Sequence, residues 1–117
     1  MARLDSCIFC RIATKAALAK IAYEDDRVIA FHDAAPQAPF HVLVIPRTHV
    51  VSLAEADDPA LLGHLLTVAA RIARDAGLAE RGFRVATNTG PDGGQAVPHL
   101  HFHVLAGRPL GLPVSPA

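Results

Sequence analysis

Residues 99–105 read His99-Leu100-His101-Phe102-His103-Val104-Leu105. Three histidines alternate with large apolar residues, and period-two alternation marks a half-buried strand. Such a strand sends all three imidazoles to one face, with neighbours about 6–7 Å apart. Leu100, Phe102 and Val104 enter the core on the other face. A row of imidazoles at that spacing suits a nucleophile flanked by groups that grip a phosphate, or a metal site. An all-histidine metal site is awkward, because collinear side chains do not converge on one ion without ligands from elsewhere. A strand edge with idle histidines is the plainer reading. It fits poorly with three of the seven histidines falling within five positions.

Working outward from this run, the chain of 117 residues predicts one domain over 1–117, and 51% hydrophobic residues can supply its core. No stretch approaches the roughly 20 apolar residues that span a bilayer, so no membrane partner is expected. Met1-Ala2-Arg3-Leu4-Asp5-Ser6 lacks an apolar leader region. Eleven basic residues balance eleven acidic ones without a basic stripe, which argues against nucleic acid and for a small ligand.

Cys7 and Cys10 form a C-x-x-C, the only cysteines of the chain. Without a leader, a structural disulfide is not expected. The pair reads as half a metal site, as a redox motif, or as two reduced thiols.

The remaining punctuation predicts a segregated order of elements. A short helical turn covers 7–14, and strands are expected at 21–24, 27–33 and 41–47. Asp58 as N-cap and Pro59 at the first position open a long helix, which Gly77 stops after Ala76. Leu61, Leu65, Val68 and Ile72 follow its 3.6-residue period, while His64 reads as a solvated residue on the polar flank. A strand over 83–88 precedes Gly90-Pro91-Asp92-Gly93-Gly94-Gln95, a loop that feeds directly into the histidine run. Glycines let backbone N–H groups approach an anion, so the loop reads as one wall of a phosphate site; by itself it would be a hairpin turn. An irregular tail begins near residue 109. Helices and strands in this order predict an α+β fold with an antiparallel sheet, not a doubly wound parallel one.

The run matches H-φ-H-φ-H-φ-φ, the motif of the histidine triad (HIT) family of nucleotide hydrolases and transferases. The chain resembles that family over roughly residues 7–108. The similar stretches are Cys7-Ile8-Phe9-Cys10, Tyr23-Glu24-Asp25-Asp26, Ala30-Phe31-His32-Asp33, Pro36-Gln37-Ala38-Pro39-Phe40-His41, Leu43-Val44-Ile45-Pro46 and Asn88 through Gln95. The likeness is strongest to the Hint-like branch of nucleoside phosphoramidases. It implies a five-stranded antiparallel sheet with one long and one short helix. It also implies a homodimer whose two sheets join into one, a purine nucleotide substrate, and a cytoplasmic location.

The resemblance also implies roles. His101 matches the nucleophile that forms a nucleotidyl-histidine intermediate, His103 the donor to the phosphate oxygens, and His41 a supporting histidine. Asp33 matches the carboxylate that holds the ribose hydroxyls, and Asn88 and Gly94 phosphate-side contacts. Phe9, Ile12, Ile21 and Phe31 would line the base pocket, although each could equally be core. Cys7, Cys10, His49 and His99 match the ligands of a structural zinc ion. A Cys₂His₂ set is closed, which assigns Zn²⁺ to folding and not to chemistry.

Three departures stand out. Ala96 replaces a common serine, Ala16-Ala17-Leu18 replaces a G-E-I-P stretch beside the base pocket, and the tail lacks a Trp-Pro-Pro ending. They bear on the leaving group more than on the triad. Hydrolysis of a purine nucleoside 5′-phosphoramidate is the leading expectation. A dinucleoside polyphosphate hydrolase is disfavoured by the C-x-x-C. A nucleotide-binding regulatory module with little turnover gains some weight from Ala96.

Overall fold

The structure, a computed structural model, describes residues 4–112. The expected α+β architecture is present. Helix α1 (Ile8–Ala13) leads into strands β1 (Ile21–Glu24), β2 (Val28–His32) and β3 (Phe40–Pro46). Helix α2 (Pro59–Asp75), β4 (Arg84–Ala86) and β5 (Phe102–Ala106) follow. The five strands pair antiparallel in the order β1-β2-β3-β5-β4. A short 3-10 turn at Leu53–Glu55, which the sequence pattern does not announce, precedes α2.

Period two decides what each face of the sheet carries. Val28, Ala30, Val42, Val44, Phe102 and Val104 are buried against Leu61, Leu65, Val68, Ala69, Ile72 and Ala73 of α2. The residues between them, Ile29, Phe31, Leu43 and Ile45, join Phe9, Ile12 and Ala13 of α1 on the opposite face. The sheet is therefore covered on both sides, and burying each Leu, Ile, Val or Phe contributes roughly 1.5–3 kcal/mol. By the same parity, His41, His101 and His103 fall on the α1 side.

Helix α2 is delimited as its sequence predicts. The Asp58 carboxylate accepts from the Ala60 and Leu61 N–H groups, a cap of about 1 kcal/mol. At the far end Gly77 takes φ 77°. Leu78 N–H then bonds the Ala73 carbonyl and Gly77 N–H that of Arg74, the glycine-dependent close of a helix.

Three expectations need correction. His64 is not simply solvated: its Nε2 lies 2.6 Å from Asp25 Oδ2 and ties α2 to the β1–β2 turn. Asp25 also accepts from Tyr23 Oη and from the Arg27 and Val28 N–H groups. Burial pushes the Asp25 carboxyl up, but these donors outweigh it and hold it well below the usual carboxylate range. The strand expected from His99 starts only at Phe102. His99 and Leu100 are held instead by bonds to Val97 and Val50 carbonyls. The strand expected over 83–88 is confined to Arg84–Ala86, because only these residues pair with β5. The start of the predicted tail, from Pro109 to Leu112, has no regular structure; the rest lies outside the described residues.

Arg47, directly after β3, fixes α1. Its guanidinium donates to the Ala13 carbonyl at 2.8 Å, to the Asp25 carbonyl at 2.7 Å and to Glu24 at 3.0 Å.

Candidate functional site

The histidine run is shared between two compartments on the α1 side of the sheet. The first is a four-residue cluster. Cys7 is the N-cap of α1 and Cys10 lies in its first turn. His99 Nδ1 stands 3.4 Å from Cys7 Sγ and 3.5 Å from Cys10 Sγ, and His49 Nδ1 is 3.3 Å from Cys10 Sγ. The four donor atoms all lie within 4.8 Å of one another and could hold a metal ion. Backbone N–H groups also converge on the sulfurs, from Cys10 to Cys7 and from Leu4 to Cys10. His99 Nε2 is 2.9 Å from the Pro46 carbonyl. A carbonyl can only accept, so the proton is on Nε2 and the Nδ1 lone pair faces the thiols. Burial pushes His99 down to about 4, with the neighbouring His49 and His101 adding to the effect. The ring is neutral at pH 7, as a ligand must be.

The second compartment is a cleft of about 740 Å³. Ile8, Phe9, Ile12, Leu18, Phe31 and Leu43 make its apolar wall, and His101, His103 and Asp33 its polar end. An apolar cleft with a few convergent polar groups is the usual form of a small-ligand site. His101 Nδ1 lies 2.7 Å from the His99 carbonyl. Here the same accounting puts the proton on Nδ1 and leaves the Nε2 lone pair available as a nucleophile. The Thr87 hydroxyl donates to the His101 carbonyl at 2.7 Å and braces the same residue from behind.

His103 is set by a relay. Gln37 N–H donates to His41 Nδ1 at 3.0 Å, so His41 carries its proton on Nε2. That nitrogen is 2.9 Å from His103 Nδ1 and donates to it. His103 must then hold its own proton on Nε2, as a donor. Sheet register makes the relay possible: Leu43 pairs with His103, so His41 is its diagonal neighbour on the same face. Asp33 Oδ2 is a longer contact, 3.4 Å from His41 Nε2. Burial, then the neighbouring His101 and His41, pushes His103 down to about 4. Burial likewise lowers His41, against the opposing pull of Asp33.

The predicted residues are not all brought together. Phe9, Ile12, Phe31, Asp33, His101 and His103 line the cleft. His41 is buried behind it, 4% exposed. Ile21 packs against the apolar cluster beneath α1 and is not among the lining residues. Nor are Asn88 and Gly94. Asn88 Nδ2 donates to the Gly93 carbonyl and braces the loop internally. Gly93 passes so close to Thr89 that a Cβ there would meet its carbonyl oxygen. The loop reaches the cleft through Ala96 and Val97. Sequence reasoning missed Gln37, Thr87 and Gln95. Gln95 accepts from Gly90 N–H and donates to the Val51 and Val97 carbonyls, strapping the loop shut. A polar residue closing a glycine-rich loop was its only local signal.

A HIT domain model matches residues 14–110. This chain belongs to the HIT family. Among its relatives, an uncharacterized HIT-like protein of Synechococcus elongatus is 50% identical over 93% of this chain and 96% of its own length. The purine nucleoside phosphoramidase of Escherichia coli is 45% identical, with 92% of each chain covered. A histidine triad protein from Clostridium difficile superposes with a TM-score of 0.90 at 46% identity, covering 96% of this chain and 98% of that one. A HIT family hydrolase from Clostridium thermocellum gives a TM-score of 0.91 at 40% identity, covering 96% and 99%. The HIT-family fold expected from the histidine run is therefore shown.

Proposed function

We propose that this HIT protein hydrolyses purine nucleoside 5′-phosphoramidates through a covalent intermediate on His101. The observation that carries the reading is the pair of opposite tautomers at the polar end of the cleft. His101 Nε2 has a lone pair and His103 Nε2 a proton. The likeness to a phosphoramidase supports the substrate class.

In this reading the base lies along Phe9, Ile12 and Phe31, with Ile21 supporting them, and the ribose hydroxyls donate to Asp33. The His101 Nε2 lone pair attacks the α-phosphorus, and the phosphorus–nitrogen bond breaks as the new bond forms. His103 Nε2–H stabilises the charge that builds on the phosphate oxygens. Ala96 is exposed and has no proton to give, so the departing amine takes its proton from water. A water molecule then attacks phosphorus, breaking its bond to His101 and releasing the nucleoside monophosphate. Asn88 and Gly94 act on the phosphate side by shaping the loop.

The Cys7, Cys10, His49 and His99 cluster suits zinc. Tetrahedral bonds of about 2.3 Å to sulfur and 2.0–2.1 Å to nitrogen place the two atoms about 3.6 Å apart. The sulfur–nitrogen separations here are 3.3, 3.4 and 3.5 Å. When bound, the ion supplies a structural cross-link between α1 and the triad segment. Two copies are further proposed to join through β4, which pairs with β5 alone at the sheet edge.

The test is hydrolysis of a fluorogenic adenosine phosphoramidate combined with rapid acid-free quench. Turnover and an acid-labile adenylate adduct on His101 are expected. Turnover with the adduct on any other residue, or no turnover at all, overturns the reading. Light scattering at a fixed chain concentration reads the mass of the assembly.

A further inference from the structure

The zinc ligands and the substrate cleft share one six-residue helix. Cys7, the N-cap of α1, and Cys10, in its first turn, face His99, while Ile8, Phe9 and Ile12 line the cleft. The Phe9 ring sits edge-on to both His99 and His101, with centroids 5.9 and 5.1 Å apart. The His99 carbonyl is what holds the tautomer of His101. Any change at the thiols therefore reaches the nucleophile by two routes, through the ring of Phe9 and through the backbone of His99.

The thiols are also reachable. Cys7 and His49 line a second, smaller cavity of about 410 Å³, together with Leu4, Ser6, Val51 and Pro98. Cys7 is 8% exposed, Cys10 only 1%. An oxidant the size of a water molecule fits this cavity and meets Cys7 first.

We propose that Cys7 and Cys10 are an oxidation site, at which a small peroxide converts the ligand pair into a disulfide and so lowers activity in the neighbouring cleft. This rests on the assignment of zinc to the cluster and of His101 as nucleophile. The step balances as follows. The Cys7 thiolate attacks a peroxide oxygen, the oxygen–oxygen bond breaks, and hydroxide leaves a sulfenic acid on Cys7. The Cys10 thiolate then attacks that sulfur. The sulfur–sulfur bond forms, the sulfur–oxygen bond breaks, and a second hydroxide departs, so the charges of the two thiolates leave as two hydroxide ions. The two sulfurs lose two electrons and the peroxide gains them. With both thiolates consumed, two imidazoles cannot retain the ion, and His99 loses its partners.

Geometry makes the disulfide reach the cleft. The Cys7 and Cys10 sulfurs lie within 4.8 Å of one another, as two ligands of one ion would, and a direct bond between them draws the N-cap and the first turn closer still. The first turn of α1 must tighten. Its far end cannot follow freely, because Arg47 holds the Ala13 carbonyl. The strain falls on the stretch between the two cysteines, where Phe9 lies.

The experiment treats zinc-loaded protein with hydrogen peroxide and follows three readouts. A chelating dye should register one released ion per chain. Intact mass should fall by two hydrogens, and the digest should contain a Cys7–Cys10 cross-linked peptide. The kcat/KM for adenosine phosphoramidate should fall on the order of tenfold, within the usual range of couplings between sites, and return after dithiothreitol and zinc. Cys7→Ser protein should form no cross-link. A cross-link that leaves the ion bound or kcat/KM unchanged overturns the proposal. So does oxidation ending in sulfinic acid without a cross-link, and so does protein that takes up no metal. If the untreated protein hydrolyses no phosphoramidate, the functional reading fails on its own, and the dye and mass readouts still decide whether the site is oxidised.

Discussion

His99 and His101 stand two residues apart and are treated in opposite ways. Both rings donate to a backbone carbonyl, but His99 does so through Nε2, to Pro46, and His101 through Nδ1, to His99 itself. The first choice aims a lone pair at Nδ1 into two thiols; the second aims one at Nε2 into the cleft. Neighbouring residues of one motif thus become a metal ligand and a nucleophile, although both are imidazoles on the same side of the chain. In a histidine site the hydrogen bond made by the far nitrogen decides what the near one can do.

That contrast can be broken most severely at the nucleophile. His101→Ala should lower kcat by at least about a thousandfold, as removal of a covalent catalyst does. Zinc content and the binding of adenosine monophosphate should stay within a few-fold of wild type. Metal analysis and calorimetry on the purified variant check this; loss of the metal would show that the His101 ring itself is needed to hold the cluster.

The opposite cut removes the thiols. Cys7→Ser with Cys10→Ser should abolish stoichiometric zinc and lower Tm by about 10 °C or more, since a structural ion contributes directly to folding. A metal-free variant that melts with the wild type would mean the cluster does not hold α1 to the sheet.

His103 offers a finer test. Its native value of about 4 lies below the value near 6.5 for an unfolded histidine. Between those values the unfolded chain binds the proton and the native chain does not, so stability must fall as pH drops from 6.5 toward 4. His103→Asn cannot titrate. Urea unfolding across that window should give it a shallower loss than wild type, and parallel curves would place His103 in a wetter environment than described.

The smallest expected effect lies at the cleft edge. If Ala96 leaves the departing amine to water, Ala96→Ser should raise turnover of alkylamine phosphoramidates roughly tenfold, about 1.4 kcal/mol of one hydrogen bond in the transition state. Activated esters should gain less. Steady-state rates on both substrates decide it: equal gains would place the hydroxyl in binding, and no gain would mean the leaving group is already served.

Alternation and capping are local rules, and what they predict here is sound. Period two assigns Leu100, Phe102 and Val104 to one core and the histidines to the other face. Asp58 and Gly77 delimit α2 within a residue. What those rules do not reach has a different origin. His64 looked solvated because Asp25, its partner, comes from a turn 39 residues earlier. The resemblance implies Asn88 and Gly94 as phosphate-side contacts; the loop folds on itself through Asn88, Gly93 and Gln95, and it is Ala96 and Val97 that line the cleft. Nothing local marks the bracing role of Arg47, since its three partners lie in α1, β1 and the β1–β2 turn.

The sequence by itself determined the family, the elements and the side of the sheet on which the chemistry-bearing groups gather, because side-chain period and chain punctuation are properties of neighbours along the chain. Only the tertiary structure decided the protons. The Pro46 carbonyl reaches His99 from 53 residues away, and His41 reaches His103 from 62. A tautomer is set by whichever acceptor or donor the fold brings to a ring nitrogen, and no local pattern records which backbone group that will be.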